Sequence, residues 1–306
     1  MRITIPAFLL SLFALSASIE IFANDRDKDK NPYNIYSKES WSEWKKGYWQ
    51  EVAGPGGWLS LRGLFWLTSG INSIGSDAQN AHQFPSDTPA FLGTLEVSES
   101  TPDSVLFETN LPQVLINGKN LKQSELSLLK RDKVSFEHYE FFIIHREKGF
   151  AVRLLDKSSE NSQTFNEMKF YPFSTDWVIP ATLIKSSPKD TIRMGTVYGT
   201  TREEKSAGWL EFKVKGELHR LEAVDFGKNT PLYVMFSDDT NGETTYGAGR
   251  YIEVDRPIDG NNTIIDFNRA YNPPCAYTPY ATCPLTPIQN VLSVKILAGE
   301  LDFHKK

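Results

Sequence analysis

The sequence predicts an all-β protein with one amino-terminal helix, on three observations. Apolar runs recur about every ten residues from Trp58 to Val254, which is the rhythm of antiparallel strands. Turn pairs such as Asn117-Gly118 and Asn241-Gly242 punctuate them, where both residues tolerate positive φ. Only the stretch ending at Ala53 carries large apolar residues at helical spacing. The expected architecture is two packed antiparallel β units. A sandwich spans 57–160, and a sheet or barrel spans 161–306. A mobile segment and the helix occupy 24–56, after a signal peptide at 1–23.

The signal-peptide reading rests on Met1-Arg2 followed by apolar residues from Ile3 to Ile19, with cleavage near Ala23-Asn24. That run falls short of the ~20 apolar residues a spanning helix needs, so no stable membrane insertion is expected after signal removal. The location expected is exported, periplasmic or extracellular. A formal net charge of -5 with both signs interspersed offers no basic face, which excludes nucleic acid as a partner. Aromatic residues at 12% argue for a well-filled core rather than disorder.

Ser40 followed by Glu43 reads as a capping box opening the helix, which runs to about Ala53. Trp41, Trp44, Tyr48 and Val52 line one side of it, and Gly54-Pro55-Gly56-Gly57 stops it. Strands are then expected over Trp58–Leu61, Gly63–Leu67, Gly70–Gly75, Ala90–Val97, Ser104–Glu108 and Gln113–Ile116. This order, with Gly75-Ser76-Asp77 and later Asn117-Gly118, loosely resembles a forkhead-associated sandwich. That family holds phosphothreonine with an arginine beside the first glycine and a Ser-x-x-His motif. Here Ser76 follows Gly75 and no such motif precedes Asn117, so the resemblance implies a fold and not phosphopeptide binding.

Further strands are expected at Val134–Phe136, Tyr139–Ile144 and Phe150–Leu155, with His138 and His145 as surface or sheet-edge residues. In the second unit the strands expected are Thr191–Tyr198, Gly208–Val214, Leu218–Val224, Pro231–Phe236 and Tyr246–Val254. Lys215-Gly216-Glu217 turns one hairpin, and Asp239–Glu243 turns another. The second turn is no calcium loop, because Ser237 and Ala248 stand where that motif needs carboxylates. Glycines 247 and 249 predict a close approach of another backbone, with Asn272-Pro273-Pro274-Cys275 as the approaching stretch. Arg250 is then free to reach Asp266 or a ligand carboxylate.

The stretch from Asp266 to Leu285 is too rich in proline for a helix or a central strand, yet holds three tyrosines and both cysteines. It reads as an ordered, irregular crossing segment. Cys275 and Cys283 stay open between a disulfide in an oxidising compartment and free buried thiols. No histidine stands near them to complete a zinc site, so neither metal nor cofactor is expected.

Three long motifs carry a resemblance to a known family. They are Gly57 to Leu67 (GWLSLRGLFWL), Asp239 to Arg250 (DTNGETTYGAGR) and Asp266 to Leu285, with Glu300 after Ala298-Gly299. These residues resemble the proteins grouped as domain of unknown function 1684. The resemblance brings no assigned activity and no catalytic residues.

The residues themselves leave three functional readings. The first is a small anionic or polar ligand bound in a cleft of the carboxy-terminal unit, by Asp239, Tyr246, Arg250, Asp266, Asn268, Arg269 and Tyr271. The second is a hydrolase in which Asp266 works with Asp239, Glu243 or a tyrosine. The third is a structural or interaction module, whose charged residues serve only to satisfy the crossing segment.

Overall fold

The computed structural model describes residues 35–159, 162, 164, 165, 167–258 and 260–304. The signal peptide and the first part of the segment expected to be mobile lie outside the described residues. Among those described, no helix is long and apolar enough to cross a membrane. The protein is mostly β, with several antiparallel sheets and one amino-terminal helix, α1 (Lys38–Ala53). The described residues within 52–166 and 277–281 form one compact unit, and the remainder form the other.

The first unit contains β1 (Leu61–Trp66), β2 (Gly70–Gly75), β3 (His82–Gln83), β4 (Gly93–Val97) and β5 (Ser104–Glu108). It continues with β6 (Leu115–Ile116), β7 (Gln123–Ser127), β8 (Lys133–Phe136), β9 (Tyr139–Arg146) and β10 (Gly149–Asp156). Two five-stranded sheets form, in the orders β1-β10-β9-β8-β6 and β3-β2-β4-β5-β7. Side chains from both meet in one core, where Phe107 of one sheet sets its ring 5.4 Å from Phe141 of the other. Inward residues of β4, β7 and β8 are more buried than their neighbours, as a sheet covered on one face requires, while β9 and β10 are buried almost throughout. Asn117-Gly118 does turn the chain, with φ of 51 and 75 and Ile116 bonded to Lys119. Trp58–Ser60, expected to be extended, is a single 3-10 turn, and the strand begins at Leu61.

The second unit holds β11 (Val178–Lys185), β12 (Thr191–Gly195), β13 (Thr201–Val214), β14 (Glu217–Val224), β15 (Leu232–Phe236), β16 (Arg250–Val254) and β17 (Asn262–Asp266). Its sheet runs β16-β15-β14-β13-β11-β17, with β12 paired to β13. The β13–β14 hairpin turns on Lys215-Gly216, both at positive φ, with Val214 opposite Glu217. One face buries Leu210, Phe212, Leu221, Val234, Phe236 and Ile252, and the tail residues Leu292, Ile296 and Ala298 lie on them.

Helix α1 belongs to this unit up to Glu51, not to the sandwich that follows it in sequence. Its cap is one turn earlier than the Ser40 expected from sequence. Ser37 Oγ accepts from the Ser40 amide at 3.2 Å, and Ser40 Oγ accepts from the Ser37 amide at 3.1 Å. Two serines three apart can exchange these bonds as readily as serine and glutamate, so Glu43 is released to the surface. The aromatic side of the helix is buried as expected: Trp41 and Tyr48 are each 7% exposed, and Val52 is fully covered.

The crossing segment is ordered. It makes two short 3-10 turns, Phe267–Arg269 and Pro274–Ala276, and pairs Tyr271 with Tyr251 of β16. Its carbonyls are satisfied from outside the segment. Trp41 Nε1 donates to the Asn268 carbonyl at 2.9 Å, and Tyr251 Oη donates to that of Pro284 at 2.6 Å. Tyr48 Oη lies 3.1 Å from both the Asn272 carbonyl and Glu300 Oε2. Residues with no regular ladder need such partners, and the helix and tail supply them.

A cleft at the start of the crossing segment

Of the seven residues singled out from sequence, three share one cleft and four lie elsewhere. Arg250 is fully buried and donates to Asp238 Oδ2 at 2.6 Å, to the Ile296 carbonyl at 3.2 Å and to the Ala298 carbonyl. It reaches neither Asp266 nor open solvent, which corrects the expectation drawn from the glycines. The close approach at Gly249 is real but has another source. A Cβ there would sit 2.7 Å from the Phe236 carbonyl and 2.2 Å from Thr286 Oγ1, at a φ of +97. The Asn-Pro-Pro-Cys stretch is not the neighbour. Burial pulls the Arg250 pKa down, and the Asp238 charge opposes it.

Asp239 is exposed and its amide donates to the Val294 carbonyl, so it faces away from Arg250. Tyr246 stands 3.4 Å from the Cys275 carbonyl and 4.0 Å from its Sγ. Asn268 is buried behind the segment, bonded to both backbone groups of Ser174 and to Asp266 Oδ1. Glu243 pairs with Lys295 at 2.5 Å. None of these residues lines the cleft.

Asp266, Arg269 and Tyr271 do line a cleft of ≈ 420 Å³. The other walls include Trp44, expected from sequence only as helix packing, and Tyr36, Lys228, Glu253, Asp255 and Arg256, which sequence reasoning passed over. Glu253 and Asp255 were legible in principle. Ile252-Glu253-Val254-Asp255 alternates apolar and acidic, which puts Glu253 on the exposed side of β16 and leaves Asp255 exposed just past its end. Tyr36 lies outside every motif, just before the helix.

The groups in the cleft are held with different firmness. Asp266 caps the Phe267–Arg269 turn through Oδ1, which accepts from the Asn268 amide at 3.2 Å. Its Oδ2 lies 3.2 Å from Arg269 Nε, but off the hydrogen-bond direction, and neither atom completes a hydrogen bond among the described residues. Arg269 is also tied to Ser40 Oγ at 3.0 Å and lies over the Tyr36 ring at 5.7 Å. Tyr36 Oη donates to Asp255 Oδ2 at 2.9 Å. Arg256 is spent on the 225–230 loop, donating to the Thr230 and Gly227 carbonyls and to Asp225.

Burial raises the Asp266 pKa, against the opposing bonds of Asn268 and the Arg269 charge. Glu253 stands in the concavity with solvent on one side and protein on the others. Its pKa rises through burial and, second, through the charge of Asp255. Glu51, on the last turn of α1, is pushed up to about 7 by burial and by Glu253. Carboxylates that crowd one another in a partly desolvated place behave this way, and such places are often functional.

The two cysteines are adjacent thiols. The Cys275 amide lies 3.2 Å from Cys283 Sγ. A hydrogen bond from Cys283 pulls the Cys275 thiol pKa down, while burial pushes that of Cys283 up.

No curated protein matches this chain. Among solved structures, an uncharacterized protein of Haloarcula marismortui, determined in solution, is 30% identical. The match covers 48% of this chain and 82% of that one, with a TM-score of 0.40. A second match is the structure of Rad53 1-466 in complex with AMP-PNP, at 7% identity, covering 64% of this chain and 46% of that one, with a TM-score of 0.19. The family model described as Protein of unknown function (DUF1684) matches residues 163–301, a span that holds the β16 hairpin, the crossing segment and Glu300, and the chain is similar to that family over those residues.

Proposed function

We infer that the protein binds a small polar ligand in the Asp266 cleft of its carboxy-terminal unit. One observation carries the reading. Parts of the chain far apart in sequence converge on a concave site of ≈ 420 Å³, lined by charged side chains of both signs and by Tyr36, Trp44 and Tyr271. A concave site with aromatic walls and a few polar groups is the usual form of a small-ligand site. The apolar run at the amino terminus supports an exported location for the site, periplasmic or extracellular. Hydrolysis at Asp266 keeps one supporting observation, the raised pKa that a general acid needs. Its acidic partner would be Glu253, since Asp239 and Glu243 stand elsewhere.

The test is a thermal-shift screen of the mature protein against sugars, organic acids, amines and nucleotides, with Glu253→Gln beside it. Glu253 has neither ion pair nor hydrogen bond among the described residues and repels Glu51 and Asp255, so this variant is expected to fold and to melt no lower than the parent. A ligand that raises the parent's melting point and leaves Glu253→Gln unmoved places binding in the cleft. Equal shifts in both proteins place it elsewhere.

A further inference from the structure

We propose that Cys275 and Cys283 form a thiol–disulfide exchange site for a low-molecular-weight disulfide, with Cys275 as the attacking thiol and Cys283 as the resolving one. The inference stands apart from the cleft, whose lining residues include neither cysteine.

The first ground is how the two thiols are placed. Cys283 is 4% exposed and Cys275 partly exposed, so Cys275 is the one that meets a reagent from solvent. The Cys275 amide donates to Cys283 Sγ at 3.2 Å, and the Cys283 thiol in turn hydrogen-bonds to the Cys275 sulfur. Tyr246 Oη lies 4.0 Å from that same sulfur. Burial raises the pKa of this tyrosine, so it keeps its proton and faces Cys275 as a donor. Donors aimed at Cys275 favour its thiolate, and the thiolate is the form that attacks. The titratable groups that face the pair are Tyr246 and Tyr251, with the Asp302 charge felt at Tyr246.

The second ground is that the pair can close or open without refolding the segment. Cys275 sits on the Pro274–Ala276 turn, and Cys283 is followed by Pro284, whose carbonyl accepts from Tyr251 at 2.6 Å. The Leu285 amide donates to the Gly195 carbonyl at 2.8 Å, which fixes the far side. These bonds hold both cysteines in place while the thiols are reduced. A cross-link between residues eight apart restrains the unfolded chain less than one that closes a long loop. Such a bond is available for exchange rather than committed to holding the fold.

The chemistry balances in two steps. The Cys275 thiolate attacks one sulfur of the incoming disulfide, forming a mixed disulfide and expelling the first thiolate. Cys283 then loses its proton and attacks Cys275 Sγ, and the second substrate thiolate leaves. The pair is oxidised by two electrons, and with the protons the cysteines give up the substrate becomes two thiols. The Cys275 amide, already bonded to Cys283 Sγ, stabilises the thiolate that forms there in the second step. Cys275 is only partly exposed, with Tyr246 beside it, which suits a small disulfide better than the cystine of a folded protein.

Reduced protein, freed of reductant and treated with glutathione disulfide, tests the proposal by acid quench and peptide mass mapping. The expected course is a glutathione adduct on the Cys275 peptide, then a 275–283 cross-link with no glutathione left. Cys283→Ser should stop at a stable adduct on Cys275. Cys275→Ser should take up glutathione on Cys283 roughly tenfold more slowly, since that thiol waits for local opening. Tyr246→Phe should move the midpoint of the pH–rate profile upward, a shift that packing alone would not give. An unmoved midpoint removes Tyr246 from the site. If a serine variant unfolds, the parent alone decides, by whether it ends cross-linked and clear of glutathione. An adduct appearing first on Cys283, a parent that keeps its adduct, or labelling only after denaturation overturns the proposal. Faster reaction with the cystines of insulin than with glutathione disulfide overturns the small substrate.

Discussion

Two arginine–aspartate pairs in the carboxy-terminal unit look alike in sequence and do opposite things. Arg250 and Asp238 are both fully covered, and backbone carbonyls of the tail take up further donors of the guanidinium. Arg269 and Asp266 meet at a cleft wall, with the arginine side chain 25% exposed and the contact between them incomplete. The difference teaches what each pair is for. A sealed pair removes two charges from water, and its place is structural, although Arg250 Nε completes no hydrogen bond among the described residues. The pair at the cleft wall keeps a guanidinium that water reaches in part.

The contrast breaks first at Arg250. Arg250→Ala leaves Asp238 buried and alone, and should cost about 3–5 kcal/mol in chemical denaturation. A loss below about 1 kcal/mol would show that water replaces the guanidinium and that the site is not sealed. Next comes Asn290, fully buried, whose side chain accepts from the Glu222 amide at 2.7 Å and donates to the Glu222 and Met235 carbonyls at 2.8 Å. Asn290→Ala should cost about 1–3 kcal/mol by orphaning those groups. On the cleft side, Arg269→Ala should cost about 1 kcal/mol or less, because a partly exposed pair is screened by water.

A pH series sharpens the same comparison. The Glu51 pKa is near 7 in the folded protein, against an ordinary 4.5, so the native state holds more protons than the unfolded chain between these values. Stability from this group is therefore fully present below about pH 4.5 and lost as pH rises through 7. Glu51→Gln should flatten that slope in melting curves, while a slope left unchanged would remove Glu51 as its origin. The smallest effect concerns the thiols. In reduced protein Cys275, partly exposed and with its pKa lowered, should react with iodoacetamide before the buried Cys283. Mass spectrometry of the alkylated peptides reads the order.

Much of the β architecture could be read from local pattern. Lys215-Gly216 and Asn117-Gly118 turn where their tolerance of positive φ says they should, and Trp41, Tyr48 and Val52 face inward at helical spacing. Proline content alone showed that 266–285 is neither helix nor ladder. What stayed hidden was pairing at a distance. Nothing in Asp238-Asp239 tells which of two adjacent acids turns inward; β15 ends at Phe236, and the irregular backbone beyond it decides for Asp238. The cleft was half legible for the same reason. Asp266, Arg269 and Tyr271 belong to one distinctive segment, whereas Tyr36 joins them only because Asp255, 219 residues later, accepts its hydroxyl.

The docking of α1 has a consequence for how the chain is made. Tyr48 emerges in synthesis 252 residues before Glu300. Until then Trp41 and Tyr48 have no Asn268 carbonyl, no Asn272 and no Glu300 to meet, and an aromatic stripe stays open to water. The sandwich, nearly all of it encoded in between, can fold while the helix waits. Long-range closure of this kind slows folding and exposes apolar surface in the interval. A nascent chain of this protein would therefore offer α1 to whatever holdase meets it, and release it only when Asn268, Asn272 and Glu300 have followed.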